Sequence, residues 1–68
     1  MNSKDIVARR ERVGLTQQQV ANLIGVSRNT YIKYEQHPEV MPLGKYETLN
    51  KELRRLRLKL LRELEEEQ

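Results

Sequence analysis

Apolar positions along the chain recur at spacings of three and four and never alternate over a useful length, so the pattern predicts helices throughout. Ile6 and Val7, with Val13, form one side of a first helix from Ser3 or Lys4 to Val13, with Arg9, Arg10 and Arg12 around them. Gly14 stops that helix, because glycine accepts the left-handed conformation that commonly follows a last turn. Thr16-Gln17-Gln18-Gln19 has the form of a capping box, in which the Thr16 hydroxyl accepts from the Gln19 amide and the Gln19 side chain returns to the Thr16 N–H. Val20, Leu23 and Ile24 follow at helical spacing, and Gly25 ends the second helix. Ser27 is the next N-cap and opens a third helix from Arg28 to about Gln36, with Tyr31 and Tyr34 facing inward. Pro38 and Pro42 bracket a loop, His37 to Leu43, whose Val40 and Met41 are expected to pack back on the core. From about Gly44 to Glu67 the chain reads as one long helix, where Tyr46, Leu49, Leu53, Leu56 and Leu60 are spaced 3, 4, 3 and 4 as a heptad seam. The seam slips at Glu63, and Leu64 continues the stripe on a neighbouring row.

The stretch from about Gln17 to Glu35 has the spacing of a helix-turn-helix. Two short helices at a steep angle need a small residue where they approach, which Ala21 supplies. The turn needs a residue with positive φ, which Gly25 supplies. Both inner faces need apolar residues, here Val20, Ile24, Val26, Tyr31 and Tyr34. An ordinary helical hairpin would not require the alanine, the glycine and five apolar positions in one register. The outer face of the third helix stays free of large apolar groups except Ile32.

Composition narrows the reinforcement available. A chain of 68 residues is one domain at most and marginal without help. With no Cys and a single His, His37, it has neither disulfides nor an all-protein zinc site, so no metal or cofactor is expected. Helical packing and oligomerisation remain. No apolar run approaches the roughly 20 residues a membrane span needs. The N-terminus shows no signal-peptide core, so a soluble cytoplasmic protein is expected. A net charge of +3 and a pI of about 9.5 favour a polyanionic partner without establishing one. Asp5, Glu11, Glu35 and Glu39 show no pairing suited to acid/base work, the three glycines form no phosphate loop, and no enzyme is expected. His37, before Pro38, reads as a surface residue.

From Ala8 to Glu35 the chain clearly resembles the Cro and phage-repressor (lambda-repressor-like, XRE) family of DNA-binding domains. Gly14-Leu15-Thr16-Gln17, Val20-Ala21, Gly25-Val26-Ser27 and Tyr34-Glu35 carry the resemblance, because these groups recur together in that family. It implies an all-α, lambda-repressor-like bundle of three short helices plus one long C-terminal helix. It also implies dimers that bind double-stranded DNA at near-palindromic operators and regulate transcription, in a phage, prophage or plasmid setting. On that motif Arg28 and Asn29 occupy the first exposed turn of the recognition helix, where they can reach guanine and adenine edges. Lys33, one turn later, reaches a further guanine or a phosphate. Thr30 beside them could donate to a phosphate, Ser27, which caps the helix, is a further phosphate contact, and Ile32 either touches a thymine methyl or covers the core edge. Gln17 resembles the family's phosphate-binding glutamine at a helix N-terminus, with Gln18 as a weaker candidate. Arg10 and Glu35 resemble a buried ion pair that ties the first helix to the third.

The C-terminal part departs from the family. The loop His37–Leu43 is longer than usual, and neither Pro nor Gly interrupts Lys45 to Glu67. The chain therefore divides into a DNA-binding part, residues 1–43, and a leucine-rich helix, residues 44–68, that completes the core and mediates dimerisation. Leu49, Leu53, Leu56, Leu60 and Leu64 are expected at the dimer interface, with Leu58 and Leu61 beside them. Lys51, Arg54, Arg55, Arg57, Lys59 and Arg62 precede Glu63, Glu65, Glu66 and Glu67, an order that opposes the helix macrodipole. Antiparallel pairing of two copies would place the basic half of one beside the acidic half of the other, with a parallel zipper as the alternative. Pairs such as Lys59–Glu63 and Arg62–Glu66 within one helix would instead make this a solvated face. Lys45, near the start of the helix, is a candidate phosphate contact by analogy. The function expected is a Cro-type repressor acting as a homodimer. The alternative is an antitoxin or interaction module whose last helix binds a second protein, with autoregulatory DNA binding.

Overall fold

The computed structural model describes residues 3–66. It consists of α1 (Ser3–Arg12), α2 (Gln17–Ile24), α3 (Arg28–Gln36), a 3-10 turn (Pro38–Val40) and α4 (Leu43–Glu66), with no strand among the described residues. Glu67, placed at the end of the last helix by its sequence, lies outside them.

Local signals set the boundaries. Gly14, at φ 73°, follows α1, and its amide donates to the Glu11 carbonyl at 3.0 Å. The capping box at α2 is complete: Gln19 N donates to Thr16 Oγ1 at 3.1 Å and Thr16 N donates to Gln19 Oε1 at 2.8 Å. Gly25, at φ 74°, closes α2 with its amide turned back on Ala21 and Asn22. A Cβ there would only touch Lys45 Nζ at 3.7 Å, so the backbone conformation, not lack of space, calls for glycine.

The core is a single cluster to which every element contributes except the 3-10 turn. Ile6 comes from α1, Val20, Ala21 and Ile24 from α2, Tyr31 and Tyr34 from α3, Met41 from the loop, and Leu49 and Leu53 from α4. Val13, Leu15, Val26 and Tyr46 pack around its margin. α2 and α3 pack on each other, α1 packs on α3, and the first half of α4 lies across α1 and α2.

Two expectations are corrected here. Leu49 and Leu53 are 1% and 2% exposed within one chain, so they have no surface left for a dimer interface. The heptad seam is read by the protein's own short helices at its start, because α1 and α2 need a lid for their inner faces. Met41 packs inward as expected, but Val40 is 55% exposed: the 3-10 turn rotates it away from the core. Leu23, on the helical stripe of α2, stands at the rim and is exposed.

Beyond Leu53 the character of α4 changes. Leu56 is half-buried, and every residue from Arg57 to Glu66 is exposed. At about 1.5 Å per residue this bare stretch projects roughly 15 Å, in keeping with the 41 × 21 × 18 Å extents of the molecule.

The division within α4 makes a stability prediction. Leu49→Ala and Leu53→Ala should each cost about 2–5 kcal/mol in urea unfolding. Leu58→Ala should stay within about 0.5 kcal/mol, as surface substitutions do. Equal losses at Leu53 and Leu58 would contradict the placement of the core.

Candidate functional site

The turn between α2 and α3 leaves one face of α3 outward. Tyr31, Tyr34 and Glu35 are buried on its inner side. Helical spacing puts Arg28 and Ile32 on one outer row and Asn29 and Lys33 on the next. Arg28, Asn29 and Lys33 are exposed, and Ile32 is half-buried.

What holds α3 at this angle is a buried carboxylate. Arg10 Nε lies 2.6 Å from Glu35 Oε2, with the side chains 13% and 6% exposed. Arg10 Nη2 donates to Glu35 Oε1 at 3.4 Å, and Nη1 donates to the Leu15 carbonyl at 2.9 Å. Gln17 Nε2 donates to Glu35 Oε1 at 2.9 Å. One carboxylate thus gathers α1, α2 and α3. Burial alone would raise its pKa, but hydrogen bonds from Arg10 and Gln17, with Tyr31 close by, outweigh that and hold it below the usual glutamate range. Burial likewise works against the Arg10 charge, and the Glu35 carboxylate more than restores it. Burial, then the neighbouring Glu35 carboxylate, push the Tyr31 phenol well above its ordinary value. The Tyr31 hydroxyl is fully enclosed beside this pair yet makes no hydrogen bond of good geometry.

The expected phosphate contacts are placed unequally. Gln17 sits at the first position of α2 with one amide hydrogen spent on Glu35, leaving its second N–H and its carbonyl uncommitted. Gln18 is exposed and donates to Asn22 Oδ1 at 2.9 Å. Ser27 Oγ accepts from Thr30 N at 3.1 Å and donates to Thr30 Oγ1 at 2.9 Å, so the cap consumes the Ser27 proton and leaves that of Thr30 free. Lys45 departs furthest from expectation. Its Nζ donates to the Ile24 carbonyl at 3.0 Å, so the ammonium satisfies the C-terminus of α2. A lysine at the start of its own helix opposes that helix's dipole, whereas at the C-terminus of α2 the same charge is favourable. No local pattern in the sequence reveals this contact, which spans 21 positions. His37 is exposed, with Nδ1 3.5 Å from Glu39 Oε1.

Among the described residues no group of His, Cys, Asp and Glu is arranged to hold a metal ion, and no helix is long and apolar enough to cross a membrane. A surface of Arg, Asn and Lys on a rigid helix can donate hydrogen bonds to base edges and phosphates.

A helix-turn-helix family model matches residues 6–42, more than half of the chain. No curated protein and no solved structure matches it.

Three outcomes test the wiring of this site. Glu35→Gln strands the Arg10 charge and should cost about 3 kcal/mol, whereas a joint Arg10→Met, Glu35→Leu replacement should cost less. Because the Glu35 pKa is lowered on folding, its contribution is complete above the usual glutamate range and is lost as the pH falls through the folded value. Urea titrations from pH 7 down to pH 2 should show acid loss in the wild type that Glu35→Gln lacks. Lys45→Met should lower stability by about 1 kcal/mol through the lost cap. The salt dependence of DNA binding should stay unchanged, where removal of a phosphate contact would lower the slope by about one.

Proposed function

The chain belongs to the XRE/lambda-repressor-like helix-turn-helix family and is a DNA-binding regulator of that type, and from that premise we propose that it is a Cro-type repressor binding a near-palindromic operator as a homodimer. The observation that carries this reading is the outer face of α3, where Arg28, Asn29 and Lys33 stand exposed on a helix whose inner face is locked into the core.

In this reading α3 enters the major groove. Arg28 pairs with guanine O6 and N7, Asn29 with adenine N6 and N7, and Lys33 with a guanine edge or phosphate one turn along. Ile32, between them, meets a thymine methyl. The N-terminus of α2 faces the phosphate backbone with its free amides, the remaining N–H of Gln17 and the amide of Gln18. Thr30 donates from the start of α3. Ser27 serves this surface through its cap, and Lys45 through the end of α2.

A second reading draws on the exposed leucines of α4: a different protein binds them, as in an antitoxin, and DNA binding is autoregulatory. Sedimentation separates the two. A self-contained dimer supports the repressor, and a monomer that associates only with another protein supports the alternative.

Selection from random duplex DNA should return a palindromic consensus with half-sites about one helical turn, roughly 34 Å, apart. Arg28→Ala should cost about 1–3 kcal/mol of binding and relax one base position in each half-site. Gln17→Ala should weaken all duplexes alike. A selection without any consensus would refute sequence-specific regulation.

A further inference from the structure

The bare half of α4 is not uniform. Arg9 and Arg12 of α1 and Arg54 and Arg57 of α4 line a shallow groove whose floor is Val13 and Leu53. The groove continues along α4 through Arg12 and Arg57 to Leu60, Leu61 and Leu64. Arg9 Nη2 reaches the Asn50 carbonyl at 3.5 Å, which ties its wall to α4. At the far end stand Glu63, Glu65 and Glu66, and the ion pairs of the described residues, Arg10–Glu35, His37–Glu39 and Arg55–Glu52, include none of them. The pairs Lys59–Glu63 and Arg62–Glu66, which would have made this end a self-satisfied face, are not formed.

One chain therefore presents a four-arginine groove with an apolar floor and, about two turns further along, an acidic tip with exposed leucines. We propose that the groove receives the acidic tip of α4 from a second copy, in an antiparallel pairing centred near Leu60 and Leu61. This rests on the homodimer reading above and gives it an interface. In that register Arg57 lies opposite Glu63 of the second copy and Arg54 opposite its Glu66. Leu64 of the second copy meets Val13, the part of the groove floor that is not already enclosed. The symmetry axis repeats each contact, so both grooves are filled at once. Two facts favour a second copy over another occupant. The charges of the groove and tip are opposite in sign and match in spacing within the same chain. Leu60, Leu61 and Leu64, beside the acidic tip, are exposed on the same chain, so a symmetric pairing covers this apolar surface in both copies at once.

The test uses the full chain at low ionic strength, where surface charge is least screened. One variant carries Arg54→Glu and Arg57→Glu, the other Glu63→Lys and Glu66→Lys. All four positions are exposed, and circular dichroism checks that helix content is retained. Sedimentation should show wild-type dimers, self-association weakened about tenfold or more in each variant by like charges at both ends, and recovery of dimers when the two variants are mixed in equal amounts. A parallel zipper sets like against like before and after substitution, so unchanged self-association of the variants would overturn the proposal. So would a monomeric wild type, or a mixture that stays apart. The outcome is independent of DNA: a monomer that still selects a consensus sinks the interface and leaves the regulator standing. A charge-dependent dimer with no DNA preference does the reverse.

Discussion

A carboxylate enclosed among apolar side chains must find partners, and the position of Glu35 is the constraint from which the arrangement of the short helices follows. Unpaired, a buried charge costs several kcal/mol. Arg10 meets it from α1 at 2.6 Å, and Gln17 meets it from the first turn of α2. The third donor of Arg10 goes to the Leu15 carbonyl, in the turn that joins those helices. Donors converging on one carboxylate from two helices restrict how α3 can sit against α1 and α2. A purely apolar contact would tolerate sliding along the helix axes. A buried pair of this kind can set orientation even where it adds little net stability, and orientation is what a helix offered to a DNA groove needs.

Helices of 10, 8 and 9 residues cannot persist singly in water. Side chains close the starts of α2 and α3, Thr16 with Gln19 and Ser27, and glycine backbone at φ 73° and 74° closes the ends of α1 and α2. α4 completes them by laying Leu49 and Leu53 across their inner faces and by turning Lys45 onto the last carbonyl of α2. The turn that aims α3 is thus held from two sides, by Glu35 beneath and by α4 beyond. The hydroxyl of Tyr31, enclosed without a hydrogen bond of good geometry, stands beside the same charge pair.

The same helix then leaves the body. Its first half obeys the demands of the core and its second half obeys none within the chain, since nothing there covers Arg57 to Glu66. Leu58, Leu60, Leu61 and Leu64 are exposed together on this projecting half, and that is the surface on which the proposed pairing rests. The separation of arginines from glutamates along that helix runs against its own dipole. An arrangement unfavourable within one chain gains a purpose when two chains share it.

The elements themselves were legible in the residues. Gly14, the Thr16–Gln19 box, Gly25 and Ser27 mark ends by chemistry that acts within four positions, and those ends appear where they mark them. Helical spacing likewise identified Val20, Ile24, Tyr31 and Tyr34 as inward, because a 3.6-residue period reports a face whatever that face meets. The helix-turn-helix was readable for the same reason: its alanine, its glycine and its apolar register are local. Periodicity does not say what covers a face. The leucine seam of α4 looked continuous from Leu49 to Leu60, and only the folded chain spent Leu49 and Leu53 on its own core and left the later leucines bare. The engagement of Gln17 with Glu35 and of Lys45 with the Ile24 carbonyl was equally beyond the sequence, as was the convergence of Arg9 and Arg12 with Arg54 and Arg57. Each joins groups far apart in the chain, and their distances are set by the packing of whole helices. Chemistry acting within a few positions set the helices, their caps and the outward row of α3, while the packing of whole helices settled which polar groups are already committed and which half of the last helix stays uncovered.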